Sequence, residues 1–152
     1  MNAPTTPGPL KILFVCVGNA CRSQMAEAYA KKLGGERVKV WSAGSAPYGE
    51  IVPETATVLA EKGISLEGHW SKHLKDVPVV EMNVVVGMGC EVACPVPASF
   101  KGRVIEWNIP DPFNRNMDFF RGVRDLIARQ VQALMDEMLP TRESLPDEDS
   151  KE

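Results

Sequence analysis

The sequence predicts an α/β fold: a four-stranded, mostly parallel sheet with helices on both faces. Three observations carry that expectation. KILFVCV (residues 11–17) is a continuous apolar run rich in β-branched residues, the pattern of a strand buried on both sides. Three further short strand-like runs follow, with helical patterns between the first and second and between the second and third. Finally, Phe120, Val123, Ile127, Val131, Leu134 and Met138 recur at i, i+3/i+4, so the last element is an amphipathic helix packed on the sheet. The resulting order, β-α-β-α-(α)-β-β-α, is that of a layered parallel sheet.

Each element has its own local warrant. The first strand is interrupted at GNAC, and RSQMAEAYAKKLGG then reads as a helix stopped by a glycine pair. RVKVWSAG supplies a second strand, from Arg37 to Ala43. Pro53 opens a helix over PETATVLAEKG. Residues 64–81 hold a short helix broken before Pro78. MNVVVGM (82–88) and RVIEWNI (103–109) are the third and fourth strands, and the long helix runs from Asp118. The segment GCEVACPVPASFKG is short and proline-rich for a parallel crossover, yet a parallel arrangement remains the expectation.

At 152 residues the chain suits one catalytic domain, expected over residues 11–139. Residues 1–10 and 140–152 read as disordered flanks, low in apolar residues. The C-terminal TRESLPDEDSKE carries the whole net charge of −3, leaving residues 11–140 balanced and without a nucleic-acid footprint. No apolar run approaches the ~18 residues of a membrane span, and no signal-peptide pattern opens the chain. A cytoplasmic monomer is expected. In that compartment four cysteines argue against a disulfide scaffold and for redox or catalytic use. His69 and His73 lie four apart, but nothing is arranged to complete a metal site, and none is expected.

Parallel strands end on one edge, and ligands bind outside those carboxyl ends. The loops Cys16–Arg22, Gly89–Cys94 and Pro110–Phe113 all leave that edge, so Cys16, Cys90 and Asp111 are expected to meet. A Cys-x5-Arg spacing is weak by itself. Here a buried strand leads in, Gly18 permits a tight turn, and a helix follows at once. Successive backbone amides of Val17, Gly18, Asn19, Ala20, Cys21, Arg22 and Ser23 then form an anion nest at a helix N-terminus. The Arg22 fork suits two oxygens of a tetrahedral oxyanion. A thiol at the base of such a nest ionises easily, since helix N-termini and cations can lower a cysteine pKa to ~3.5–7.5. Asn19 fits a residue at positive φ, with Ser23, Ser42 and His69 as candidate partners; taken singly, each also fits an ordinary polar residue. Asp111, stiffened by Pro112, could protonate a departing oxygen.

VCVGNACRSQMAEA, with SAG, HWSK and IPDPF, resembles the low-molecular-weight protein tyrosine phosphatase superfamily over residues 11–138. The resemblance implies strand order 2-1-3-4, with Cys16 as nucleophile, Arg22 and the loop amides as oxyanion binders, and Asp111 as general acid. It also implies two possible reactions. One branch hydrolyses phosphotyrosine through a phosphocysteine; the other reduces arsenate to arsenite, the basis of arsenical resistance. Hydrolysis needs one cysteine, whereas reduction needs two electrons that further thiols can supply. MGCEVACP places Cys90 and Cys94 after the third strand, where the reductases carry a redox pair. DPFNRN lacks the tyrosines that phosphatases carry after Asp-Pro, so no paired-tyrosine wall is expected. The reading is therefore an arsenate reductase, with Cys90 and Cys94 as resolving cysteines and phosphate or sulfate as competing oxyanions. It implies no tightly bound cofactor but an external thiol reductant: thioredoxin, glutaredoxin or a low-molecular-weight thiol.

Overall fold

The computed structural model describes residues 8–89 and 96–139. Cys90, Cys94 and most of both expected tails lie outside the described residues. The elements follow as β1 (Leu10–Cys16), α1 (Arg22–Gly34), β2 (Val38–Gly44), α2 (Pro53–Ala60), β3 (Val84–Met88), β4 (Arg103–Trp107) and α3 (Met117–Met138). Short 3-10 turns occupy Gly35–Arg37, Leu74–Asp76 and Val79–Glu81. The sheet order is β2-β1-β3-β4, and every pairing is parallel, including β3 with β4.

Strand alternation divides the core in two. Ile12, Phe14, Cys16, Val84, Val86 and Met88 point into the larger cluster, which α1, α2 and α3 complete with Met25, Leu59, Phe120 and Ile127. Leu13, Val15 and Val85 point the other way, into a smaller cluster with Leu74, Val77 and Met82. The helices of this second face are thus single 3-10 turns. A β-strand presents alternate residues to opposite faces, so a strand buried on both sides must be apolar throughout, as β1 and β3 are.

Boundaries differ from the sequence expectation where a side chain or carbonyl captures the chain. β3 starts at Val84 rather than residue 82, because Met82 closes a turn on Val79 and Asn83 Oδ1 accepts the Lys11 N–H. β4 stops at Trp107, leaving Ile109 O free to accept from Arg22. α3 begins one residue early, where the Asn116 side chain accepts the Phe119 N–H as an N-cap. α1 stops at Gly34, and Gly35 takes φ +55°.

Register places the strand ends together: Cys16 pairs with Gly44, and Met88 with Trp107. β1 sends its chain to β2 on one side and has β3 on the other. The loop after Cys16 therefore opens at the switch point of the sheet.

Candidate active site

The loop between Cys16 and α1 is held from outside by its carbonyls. Val17 O accepts from Ala46 N at 2.9 Å, Gly18 O from Tyr48 N at 3.0 Å, and Ala20 O from Val52 N at 3.1 Å. The side chains of Ser71 and Thr55 add bonds to Gly18 O and Ala20 O. In a trans peptide the N–H points opposite to the C=O. Anchoring the carbonyls outward therefore turns the following amides toward the concave side, which is how a nest is made. Asn19 sits at φ +48°, the left-handed conformation that its place in the turn requires. Gly44 lets the second strand approach: a Cβ there would lie 2.4 Å from Val17 O.

The pocket so formed is lined by Cys16, Val17, Gly18, Ala20, Cys21, Arg22, Tyr48 and Asp111. The side chains of Asn19 and Ser23 are fully buried behind it rather than on its wall. Ser23 Oγ accepts from Asn19 Nδ2 at 2.8 Å and lies 3.0 Å from Cys16 Sγ. Either atom of the Ser23–Cys16 pair can donate while Cys16 is a thiol; an ionised Cys16 can only accept, and the Ser23 hydroxyl is then its donor.

Arg22 is buried. Its Nη1 donates to Met88 O at 2.7 Å and to Ile109 O at 3.1 Å, and Nη2 lies 3.6 Å from Asp111 Oδ2. The guanidinium thus ties the ends of β3 and β4 beneath the loop. Gly89, at φ +84°, is required there, because a Cβ would fall 2.4 Å from Arg22 Nη1. Asp111 is half exposed and accepts the Phe113 N–H at 3.1 Å. Cys21 differs from Cys16 in chemistry as well as place: burial pushes its thiol up to about 12, although a hydrogen bond with Thr55 opposes the rise.

One expectation about the surroundings needs correction. Among the described residues, neither Ser42 nor His69 is hydrogen-bonded to Asn19. Ser42 Oγ donates to Glu27 Oε1 at 2.6 Å, and His69 Nδ1 faces Gln24 Oε1 at 3.1 Å. α1 interposes its own polar residues: His69 reaches Asn19 through Gln24, while Ser42 is held to Glu27. The residues that do hold Asn19 Oδ1 are Gln24, through Nε2 at 3.0 Å, and Lys72, through its backbone N–H at 2.9 Å. Their signal in the sequence was present but faint: a glutamine inside an otherwise apolar helix face. The mouth carries a feature that the sequence reading did not include. No paired tyrosines stand after Asp-Pro, but Tyr48 and Phe113 form an aromatic pair there, with ring centroids 5.2 Å apart. Tyr48 packs over Gly18, where a Cβ would meet its ring at 2.8 Å.

Residues 11–145 match the family described as low molecular weight phosphotyrosine protein phosphatase. A glutaredoxin arsenate reductase of Synechocystis sp. is 32% identical over 126 residues, covering 82% of this chain and 95% of that protein. Arsenate reductase 1 of Staphylococcus haemolyticus is 35% identical over 125 residues, covering 80% and 91%. A solved arsenate reductase in its phosphate-binding state matches with a TM-score of 0.77 at 29% identity, covering 85% of this chain and 98% of the other.

Proposed function

The chain belongs to the low molecular weight phosphotyrosine protein phosphatase family, and we propose that within it the protein is an arsenate reductase. The observation that carries the reading is the tie at the site's floor. Arg22, which closes the anion nest beside Cys16, also holds Met88 O at 2.7 Å. Cys90 follows two residues later in sequence, so the strand end that Arg22 holds leads directly into the segment that carries the second thiol. The relatives named arsenate reductase support the same choice.

In the proposed reaction, arsenate sits on the loop amides and the Arg22 fork. The Cys16 thiolate attacks arsenic, and a hydroxyl leaves as water with the proton of Asp111. Cys90 thiolate then attacks Cys16 Sγ. The S–As bond breaks with its electron pair on arsenic, so As(V) becomes As(III), arsenite departs, and a Cys16–Cys90 disulfide remains. Cys94 attacks Cys90, which moves the disulfide to Cys90–Cys94 and frees Cys16. An external thiol donor, thioredoxin, glutaredoxin or a small thiol, reduces that bond. Cys21 takes no step, since its thiol stays protonated. The catalytic unit is residues 11–139, acting as a cytoplasmic monomer without a tightly bound cofactor, and phosphate or sulfate compete for the nest. Among the described residues no helix is long and apolar enough to cross a membrane.

The Tyr48–Phe113 pair favours a second activity at the same site, hydrolysis of aryl phosphates, because it offers an aromatic ester a wall beside the nucleophile. One variant separates the two. Cys90→Ser is expected to lose multiple-turnover arsenite formation with every thiol donor while keeping any aryl-phosphate turnover. Full arsenate turnover in that variant would sink the relay.

A further inference from the structure

Gln24 is fully buried, and its terminal amide sits among oxygens. Nε2 lies 3.1 Å from Asn19 O, 3.0 Å from Asn19 Oδ1 and 3.0 Å from Trp70 O. Flipping the amide would set Oε1 against three acceptors, so its orientation is fixed by its neighbours. Oε1 must then be the atom that faces His69 Nδ1 at 3.1 Å.

That orientation determines where the histidine proton lies. Gln24 Oε1 and Glu27 Oε1, at 3.1 and 3.6 Å from Nδ1, are both acceptors, so Nδ1 must donate. On the other side of the ring, Nε2 lies 3.5 Å from Lys31 Nζ, an ammonium with donors only, so Nε2 must accept. Three neighbours select the same neutral form, with the proton on Nδ1. The charged groups facing this ring are Glu27 and Lys31 from α1 and Lys72 from its own segment. Burial lowers the His69 pKa, and Lys31 and Lys72 lower it further against the opposing pull of Glu27.

We infer that Gln24 is a positioning residue for the Cys16 nucleophile. It fixes the Asn19 carboxamide so that Nδ2 holds the Ser23 oxygen and keeps the Ser23 hydroxyl against the Cys16 sulfur, where it can donate once Cys16 is ionised, and it is itself fixed by the Nδ1–H form of His69. The inference rests on the reading of Cys16 as nucleophile. Gln24 touches neither the sulfur nor the pocket. It acts through a chain of buried contacts, none longer than 3.1 Å, from His69 to Gln24, Asn19, Ser23 and Cys16. Removing the amide takes away one of the two donors to Asn19 Oδ1, leaving the Lys72 N–H, together with the side-chain donor to the Asn19 carbonyl, so the carboxamide is held less firmly.

The test needs no turnover. The pH dependence of iodoacetamide labelling at Cys16, read by mass mapping with Cys21 as the slow internal control, is measured in the wild type, Gln24→Met, Gln24→Glu and His69→Asn. Because the hydrogen bond to an ionised Cys16 is weakened, Gln24→Met and Gln24→Glu are expected to move the Cys16 profile up by about one to two units. His69→Asn keeps a donor where Nδ1–H stood and should retain the wild-type profile. Unchanged profiles in the folded Gln24 variants overturn the inference. A second readout uses the unaltered protein: nitrogen-15 correlation spectra of His69 should show the proton on Nδ1, and a proton on Nε2 overturns the inference whatever the variants do. Loss of arsenate reduction in Cys16→Ser tests the functional reading separately, so the two can fail independently.

Discussion

At Gly89 one hydrogen atom in place of a methyl group keeps Arg22 in the site. The residue combines positive φ with a close approach to the arginine, 2.4 Å from an added Cβ to Arg22 Nη1. Gly89→Ala is expected to displace the guanidinium, raising the arsenate KM by an order of magnitude or more, since a charge-assisted bond is worth about 1.5–3 kcal/mol. Steady-state kinetics check it, and an unchanged KM would mean the arginine has room to spare. Parts of this scale were legible in the sequence. Asn19 at positive φ followed from a tight turn entered by Gly18, and Cys16 and Arg22 from the strand-loop-helix context. Gly89 and Gln24 were not legible, because their roles come from partners 67 and 45 residues away in sequence. Local spacing cannot report such contacts.

Among the elements, α3 was the most readable, because its i, i+3/i+4 stripe states which face is buried. What the stripe hides is Arg124, a buried cation among apolar neighbours. It donates to Val58 O at 3.0 Å and to Glu61 at 2.7 Å, while Arg121 reaches the same carboxylate. Together they clamp α2 to α3 and hold Glu61 at about 2, chiefly through the Arg121 hydrogen bonds. A carboxylate whose folded pKa lies below its unfolded value stabilises the fold above the unfolded pKa, and that contribution fades as the pH falls through the folded one. Glu61→Gln should therefore lower Tm near neutral pH, with the difference from wild type shrinking between pH 4.5 and pH 2. Thermal melts across that range decide it; a difference independent of pH would assign the clamp to packing alone. Ile127→Ala in the same helix is expected to cost about 2–5 kcal/mol by leaving a cavity in the core. The second sheet face was harder to read. Residues 64–81 carry no sustained period, and the chain covers that face with single turns at Leu74–Asp76 and Val79–Glu81.

For the molecule as a whole, parallel strands with matched ends do the assembling. Cys16, Gly44, Met88 and Trp107 finish on one edge, so loops from three parts of the chain share one pocket. The order of elements alone predicted this, because a parallel sheet leaves its loops nowhere else to converge. The aromatic mouth was not predicted, since Tyr48 and Phe113 come from loops whose approach depends on the folded edge. The account's central claim is that the electrons reducing arsenic come from the chain's own thiols, with Cys16 as the entry point and Cys90 and Cys94 as the exit. Fully reduced protein mixed with excess arsenate and no external donor tests this most directly. The account predicts one arsenite per chain and, by mass mapping, a Cys90–Cys94 disulfide with Cys16 free; no arsenite, or arsenite formed while Cys90 and Cys94 stay reduced, would contradict it.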